Sequence, residues 1–293
     1  MGKLDALGRA TFHHIAEQSA VRVTNRELAW LAHIHRHGPQ SSTALYDLTV
    51  STHRCRDTSL RALQRLRAGG VLSLPRQQRM TERAEFNPYI YDVTELGKGH
   101  LENRDLLEPT LRPSGHWWHA YGVGAITAAI ERRGAEKGIR YIPPQSILAR
   151  ARCELPLPTP AGMVIPDQLF ALDYGGTFRA FMLEHDRGSE PLSSKAARES
   201  LERKLHRYST AASSDLHRRH YGLKSPLVLM FTFASRARAA RFLDLVTTKY
   251  PVLSSIVIFA ILNDDDPLLL CSRDIVLGPW QRGSGGTFEL FQS

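Results

Sequence analysis

Apolar residues recur at helical spacing in the first third of the chain and in short strand-length runs through much of the remainder. Leu28, Leu31 and Ile34 repeat every three to four positions behind Thr24-Asn-Arg-Glu27. That Thr-x-x-Glu spacing is a capping box, and Gly38-Pro39 stops the helix. A short helix over 41–48 follows. A third helix starts at Ser51 and carries Leu60, Leu63 and Leu66 as its inward stripe as far as Gly69-Gly70. Runs over 71–74 and 89–93 read as strands, joined by a polar, arginine-bearing loop over 75–87.

Residues 97–114 are polar and contain Pro109 and Pro113, which marks a helix and linker with a domain boundary near 113. A helix then opens at 114–119 and runs to about Arg133. Trp118, Tyr121, Ala125, Ala128 and Ala129 follow one face, either as packing or as a base-stacking platform. Next come a strand over 139–142, a break at Pro143-Pro144, and the succession helix, strand, strand, helix. Strands over 227–233 and 255–262 flank a helix over 236–249, and a last apolar run covers 268–271. Strands alternating with helices imply a mixed sheet covered on both faces. The expected organisation is thus mixed α and β, with one domain over 21–113 and a second over 114–293.

The first domain has the order of a winged helix-turn-helix, in which the third helix enters a DNA major groove. That helix holds Arg54, Arg56, Arg61, Arg65 and Arg67 against the single acid Asp57, with most of the arginines outward. Arg76, Arg79 and Arg83 fall on the ribbon, near flanking phosphates or a minor groove. The run Leu-x-x-Leu-x-x-Gly-Gly-Val-Leu, closed by Thr94-Glu95-Leu96-Gly97, resembles winged-helix regulators, which implies DNA binding or protein contact. A net charge of +9 at pH 7 points the same way, to a polyanionic partner with DNA first. The 293 residues suffice for about two domains. Cys55, Cys153 and Cys271 form neither a zinc motif nor a disulfide framework, in keeping with a reducing cytoplasm. No signal peptide or membrane-spanning run is read, and no glycine-rich phosphate loop favours a small-molecule enzyme.

Against this basic background, 166–208 gathers acids. Asp167 heads an apolar run over 168–172, Gly175-Gly176 turns the chain, and a second run over 177–183 leads into Glu184-His-Asp186-Arg-Gly-Ser-Glu190. The strand period of two points Glu184 and Asp186 the same way, past the end of the core. A hairpin through the Gly-Gly turn brings Asp167 to the same edge. Like charges gathered at one place need a cation or a shared proton. Hard oxygens from two strands suit Mg²⁺ or Mn²⁺, which activates water and offsets charge on a phosphoryl group. The candidate metal ligands are Asp167, Glu184 and Asp186, with Glu190 assisting. Lys204 lies on the following helix with Leu201, Leu205 and Tyr208, and would orient phosphate or water. Each of His116 and His119 is either a plain helix-start residue or a ligand or proton carrier that meets the acidic cluster, with His119 the favoured candidate. The alternative for the acids is a hairpin ending in solvated carboxylates.

Pro166-Asp167 followed by Glu184-x-Asp186 on a strand hairpin resembles the PD-(D/E)xK restriction-endonuclease-like fold. More specifically, residues 24 to about 262 resemble the replication-relaxation family of plasmid and mobile-element proteins, similar to MobC-type conjugative relaxases. The resemblance rests on His119 opening a helix that ends in Glu131-Arg-Arg-Gly134, on Pro166-Asp167, on Leu183 through Glu190, on Lys204-Leu-x-x-Tyr208, and on Ser235-Arg236. It implies a winged helix joined to a nuclease-like domain that nicks an origin-type double-stranded site with a divalent metal. A single-stranded product and relaxosome or replication proteins would be partners. The alternative is an inactive DNA-binding regulator of replication or transfer. The nuclease pattern places a lysine two residues after the glutamate. Here that place is Asp186, so the positive charge falls to Lys204 or Lys195.

Overall fold

The structure, a computed structural model, describes residues 15–18, 20–53, 55–80, 88–187, 200–262 and 278–292. The described residues divide into two compact units, one up to Ala129 and the other from Ile130 onward.

In the first unit, helix α1 (Asn25–His37) starts where the capping box places it: the Glu27 carboxylate accepts the Thr24 backbone N–H at 2.8 Å. It ends at Gly38, whose φ of 92° favours glycine. Strand β1 (Gln40–Ser41), α2 (Ser42–Leu48) and α3 (Arg56–Ala68) follow. Residues 50–52 form a separate 3₁₀ turn, so α3 begins five residues later than expected from Ser51. Strands β2 (Leu72–Ser73) and β3 (Ile90–Val93) complete a three-stranded antiparallel sheet in the order β1-β3-β2. The buried Gln78 amide bridges to β3, donating to the Ile90 carbonyl at 2.7 Å and accepting its N–H at 3.0 Å.

Trp30, Leu31, Ile34, Leu45, Leu63, Leu66 and Tyr91 build this unit's core. The Trp30 indole satisfies its N–H on the Leu45 carbonyl at 2.7 Å and the Thr49 hydroxyl at 2.9 Å, which ties α1 to the end of α2. Helix α4 (Glu95–Glu102) is capped by Thr94 and lies so close to the chain at Val71 that a Cβ on Gly97 would sit 2.5 Å from the Val71 carbonyl oxygen. The Thr-Glu-Leu-Gly run is thus a cap followed by a close approach. Helix α5 (Trp117–Glu136) opens with Trp117 stacked on buried Tyr121 at 5.5 Å and Trp118 edge-on to both, so these aromatics pack on one another.

The second unit is a seven-stranded mixed sheet. Its elements are β4 (Arg140–Ile142), α6 (Pro144–Ala151), a hairpin of β5 (Leu157–Thr159) and β6 (Gly162–Val164), then β7 (Gln168–Asp173) and β8 (Phe178–Asp186). Helices α7 (Leu201–Ser213) and α8 (Leu216–Tyr221) lead to β9 (Leu227–Phe233), α9 (Arg236–Thr248) and β10 (Val257–Ile261). Strands β11 (Trp280–Arg282) and β12 (Thr287–Phe288) close the edge, giving the order β12-β11-β10-β9-β8-β7-β4.

Strands β8, β9 and β10 run parallel, and β7 pairs with β8 as the expected antiparallel hairpin. At its turn the Asp173 carboxylate accepts the N–H groups of Gly175 and Gly176 at 3.1 and 2.8 Å, with both glycines at positive φ. One face of the sheet packs on α7 and α9 through Leu169, Met182, Leu205, Tyr208, Phe231 and Phe242. The other stacks Tyr141, Phe170 and Phe181. The run over 268–271 lies outside the described residues. Among the described residues no helix is long and apolar enough to cross a membrane.

Candidate active site

Strand β8 runs three residues beyond the expected 177–183, because β9 pairs with it as far as Asp186 opposite Phe233. Glu184 and Asp186 therefore stand inside the sheet rather than past its end. Their shared face is the α7/α9 face, since Met182 belongs to that core. His185 points the other way and bonds the Thr232 hydroxyl at 2.8 Å.

Glu184 is the centre of the arrangement and only 2% exposed. Ser200 caps α7, accepting the Arg203 N–H, and the helix lays two successive turns over the glutamate. Lys204 donates to Oε2 at 2.7 Å and the Tyr208 hydroxyl donates to Oε1 at 2.5 Å. The i, i+4 spacing puts both on one face of the helix. Asp167, at the head of β7, accepts the His185 backbone N–H at 2.7 Å and so lies beside the same strand end.

Burial pushes the Glu184 carboxyl up to about 7; nearby Lys204 pulls it down and the Asp167 charge pushes it up. Burial and the adjacent Glu184 likewise hold the Tyr208 phenol well above its ordinary value, so it remains a donor.

Asp186 has a different neighbour. Arg238, in the first turn of α9 behind the Ser235 cap, donates to its Oδ2 at 2.6 Å, with both side chains largely buried. Among the described residues the ligand oxygens of Asp167, Glu184 and Asp186 do not all fall within 4.8 Å of one another. The three acids thus do not converge as a set. A carboxylate oxygen carries two lone pairs, so the bonds from Lys204, Tyr208 and His185 leave Asp167 and Glu184 chemically able to coordinate. Their donor chemistry is of the kind Mg²⁺ takes, one or two carboxylates together with several waters.

Glu190 and Lys195 lie outside the described residues. His119 stands in the first turn of α5, half-buried, in the first unit. The sequence pattern does not single out Arg238, and it places Tyr208 on the right helix face without a role.

The arginines of α3 divide. Arg61 is 79% exposed and paired with Asp57 at 2.8 Å. Arg56 is exposed and reaches the Thr43 hydroxyl at 3.2 Å, and Arg76 is exposed on the 3₁₀ turn after β2. Arg65 corrects the expectation of an outward face: it bonds the buried Glu27 carboxylate and donates to the Arg22 carbonyl at 2.9 Å. A buried carboxylate needs such a partner, and Arg65 supplies it. Leu60 is only half-buried, and Ser59 joins Leu63 and Leu66 on the inward face. Arg54 and Arg83, and the side chain of Arg79, lie outside the described residues.

The raised Glu184 value has a measurable consequence. Between about pH 4.5 and 7 the folded chain holds a proton that the unfolded chain releases, so this group's contribution to stability falls as pH rises through that window. In EDTA, the unfolding free energy of Glu184→Gln minus that of wild type is expected to grow by about 3 kcal/mol across the window and level off above it. A difference that stays flat from pH 5 to 8 would show an ordinary carboxylate.

No curated protein and no solved structure matches the chain. The family described as replication-relaxation matches residues 31–227, more than half of the sequence and inclusive of Asp167, Glu184, Lys204 and Tyr208, and the chain belongs to that family.

Proposed function

We propose that the protein processes plasmid or mobile-element DNA, binding an origin-type site through its first unit and nicking it at the Glu184 cluster in a divalent-metal-dependent reaction. The replication-relaxation family supports the plasmid or mobile-element replication setting. The observation that carries the nicking reading is the buried Glu184 carboxylate with Asp167 beside it and Lys204 donating to it. In the PD-(D/E)xK pattern a lysine stands two residues after the glutamate. Here α7 brings a lysine to the glutamate from a helix instead.

Asp167 and Glu184 would hold Mg²⁺ or Mn²⁺. When bound, such an ion supplies a Lewis acid for the phosphoryl oxygen and a more acidic water. Lys204 offsets charge on the phosphate or orients the attacking water. Tyr208 fixes the rotamer of Glu184 through the carboxylate oxygen that Lys204 does not take. Arg238 neutralises Asp186, which removes a like charge from the strand end.

The helices and three-stranded sheet of the first unit support a winged-helix reading, in which exposed Arg56, Arg61 and Arg76 would contact DNA. Replacing these three with glutamine is expected to weaken binding to duplex origin DNA. The slope of log affinity against log salt should shrink by about 0.9 for each phosphate no longer neutralised. Arg65→Gln is expected instead to lower the unfolding temperature, because it strips the partner from Glu27. Anisotropy titrations at several salt concentrations read the slope; an unchanged slope would take α3 out of the interface.

A second reading, a DNA-binding regulator that does not cleave, is favoured by the engagement of both Glu184 oxygens and by the Asp186–Arg238 pair. The deciding experiment incubates supercoiled origin plasmid with the protein and Mg²⁺ or Mn²⁺. Metal-dependent open-circular product that disappears in Asp167→Ala and Glu184→Ala supports the nuclease. DNA binding without nicking under either metal supports the regulator.

A further inference from the structure

A second feature of the C-terminal unit lies at the opposite end of β8. Between β4, α6 and the segment that follows α8 is a cavity of about 630 Å³, lined in part by Arg140, Tyr141, Ser146, Arg150, Phe178 and Lys224. Phe178 opens β8 while Glu184 stands six residues on, which separates the cavity from the acidic cluster by about 20 Å of strand.

Its chemistry is one-sided. Among the described residues that line it there is no carboxylate. Arg140 is paired with Asp173 at 2.9 Å, whereas Arg150 and Lys224 are exposed and form no ion pair among the described residues. Phe178, 42% exposed, is the one aromatic ring among the exposed large hydrophobic side chains of the described residues. Exposed Arg152, Arg218 and Arg219 continue the basic surface along the ends of α6 and α8. Of these three, among the described residues, only Arg218 is held by an acid, Asp215 at 3.5 Å.

We propose that this cavity and its basic rim bind a segment of single-stranded DNA, with one unstacked base against Phe178 and the adjoining phosphates on Arg150 and Lys224. Duplex DNA offers phosphates to such a rim but no base to a recess, because its bases are stacked and paired. A single strand offers both, and a cationic track with an exposed aromatic is the combination that binds it without sequence preference. The cavity has the volume of a small-ligand pocket, which accommodates one nucleotide rather than a helix. The assignment stands whether or not the Glu184 cluster cleaves.

The test uses the full-length protein in EDTA, a fluorescein-labelled dT oligonucleotide, and fluorescence anisotropy. The Arg150→Glu/Lys224→Glu double variant is expected to raise Kd at least about tenfold. Phe178→Ala raises it roughly tenfold and Phe178→Tyr restores it, as stacking on an aromatic requires. An oligonucleotide with abasic positions throughout should bind wild type and Phe178→Ala alike. Duplex origin DNA should be bound by all variants nearly as by wild type. All changed positions are exposed, and each variant is checked for wild-type unfolding temperature. Unchanged oligonucleotide affinity in the double variant overturns the proposal. So does an equal loss for duplex, which marks general attraction of polyanions. Competition with dTMP is measured alongside: wild-type dTMP binding that the variants lose while their oligonucleotide affinity stays unchanged also overturns the proposal and marks a free-nucleotide site.

Discussion

Glu184→Ala is expected to remove metal-dependent nicking, with the rate falling about a thousandfold or more, while duplex binding stays intact. One of the two carboxylates proposed to hold the metal disappears, and a metal's charge stabilisation is worth several kcal/mol at about 1.4 kcal/mol per factor of ten. The same substitution leaves Lys204 and Tyr208 without their common acceptor. Lys204→Met separates these effects. It keeps both carboxylates and removes the positive charge, for an expected loss of about 10²–10³, the range for one charge-stabilising donor.

Lys204→Met also changes the pH profile in a direction that a structural lesion would not. Lys204 is the main group lowering the Glu184 value, so its removal raises that value further. If ionised Glu184 is needed, the alkaline shift of the rate profile follows, and Lys204→Arg should reverse part of it. Tyr208→Phe removes one hydrogen bond to the carboxylate and is expected to cost about 10–100-fold, as for groups that orient a ligand. Single-turnover nicking of supercoiled plasmid from pH 6 to 9 measures all four. A profile unmoved by Lys204→Met would place this lysine in structure alone.

How much of this is legible in the sequence depends on whether the cause is local. The Thr24–Glu27 cap, the Gly38 stop and the Gly175-Gly176 turn each involve neighbours in sequence, and the structure has them where the spacing puts them. The turn also makes the pairing of β7 with β8 readable, which brings Asp167 to the Glu184 strand. Lys204 and Tyr208 fall on the right face for the same reason, since helical period carries over four residues.

Arg65 and Arg238 are not legible. Each is one arginine among several on its helix, and the acid that selects it, Glu27 or Asp186, is 38 or 52 residues away in sequence. The end of β8 is expected too early because charged residues usually end a strand; pairing with β9 extends it. The strands β11 and β12 are three and two residues long, too short to show a period at all.

The core beneath the candidate site makes the second large expectation. Phe242 is fully buried on α9 and packs its ring 4.5 Å from Phe231, 4.8 Å from Phe233 and 6.1 Å from Phe259. Phe242→Ala deletes a ring that touches two parallel strands and should destabilise the second unit by about 3–5 kcal/mol. For a unit of this size that lowers its unfolding temperature by roughly 10 °C. Phe242→Leu keeps most of the volume and should cost less than about half as much.

Arg238 stands one turn before Phe242 on the same helix, so the anchor that buries the phenyl ring also fixes the reach of the guanidinium toward Asp186. Loosening α9 therefore exposes a like charge at the end of β8, next to Glu184. Below its unfolding temperature, Phe242→Ala should nick more slowly than wild type but faster than Lys204→Met, because the lysine comes from α7 and keeps its bond to Glu184. Amide exchange should quicken in α9 and in the last residues of β9 before it does in β7. Equal exchange throughout the sheet would mean that α9 has no separate hold on the Asp186 end, and that the strand, not the helix, keeps the acids in place.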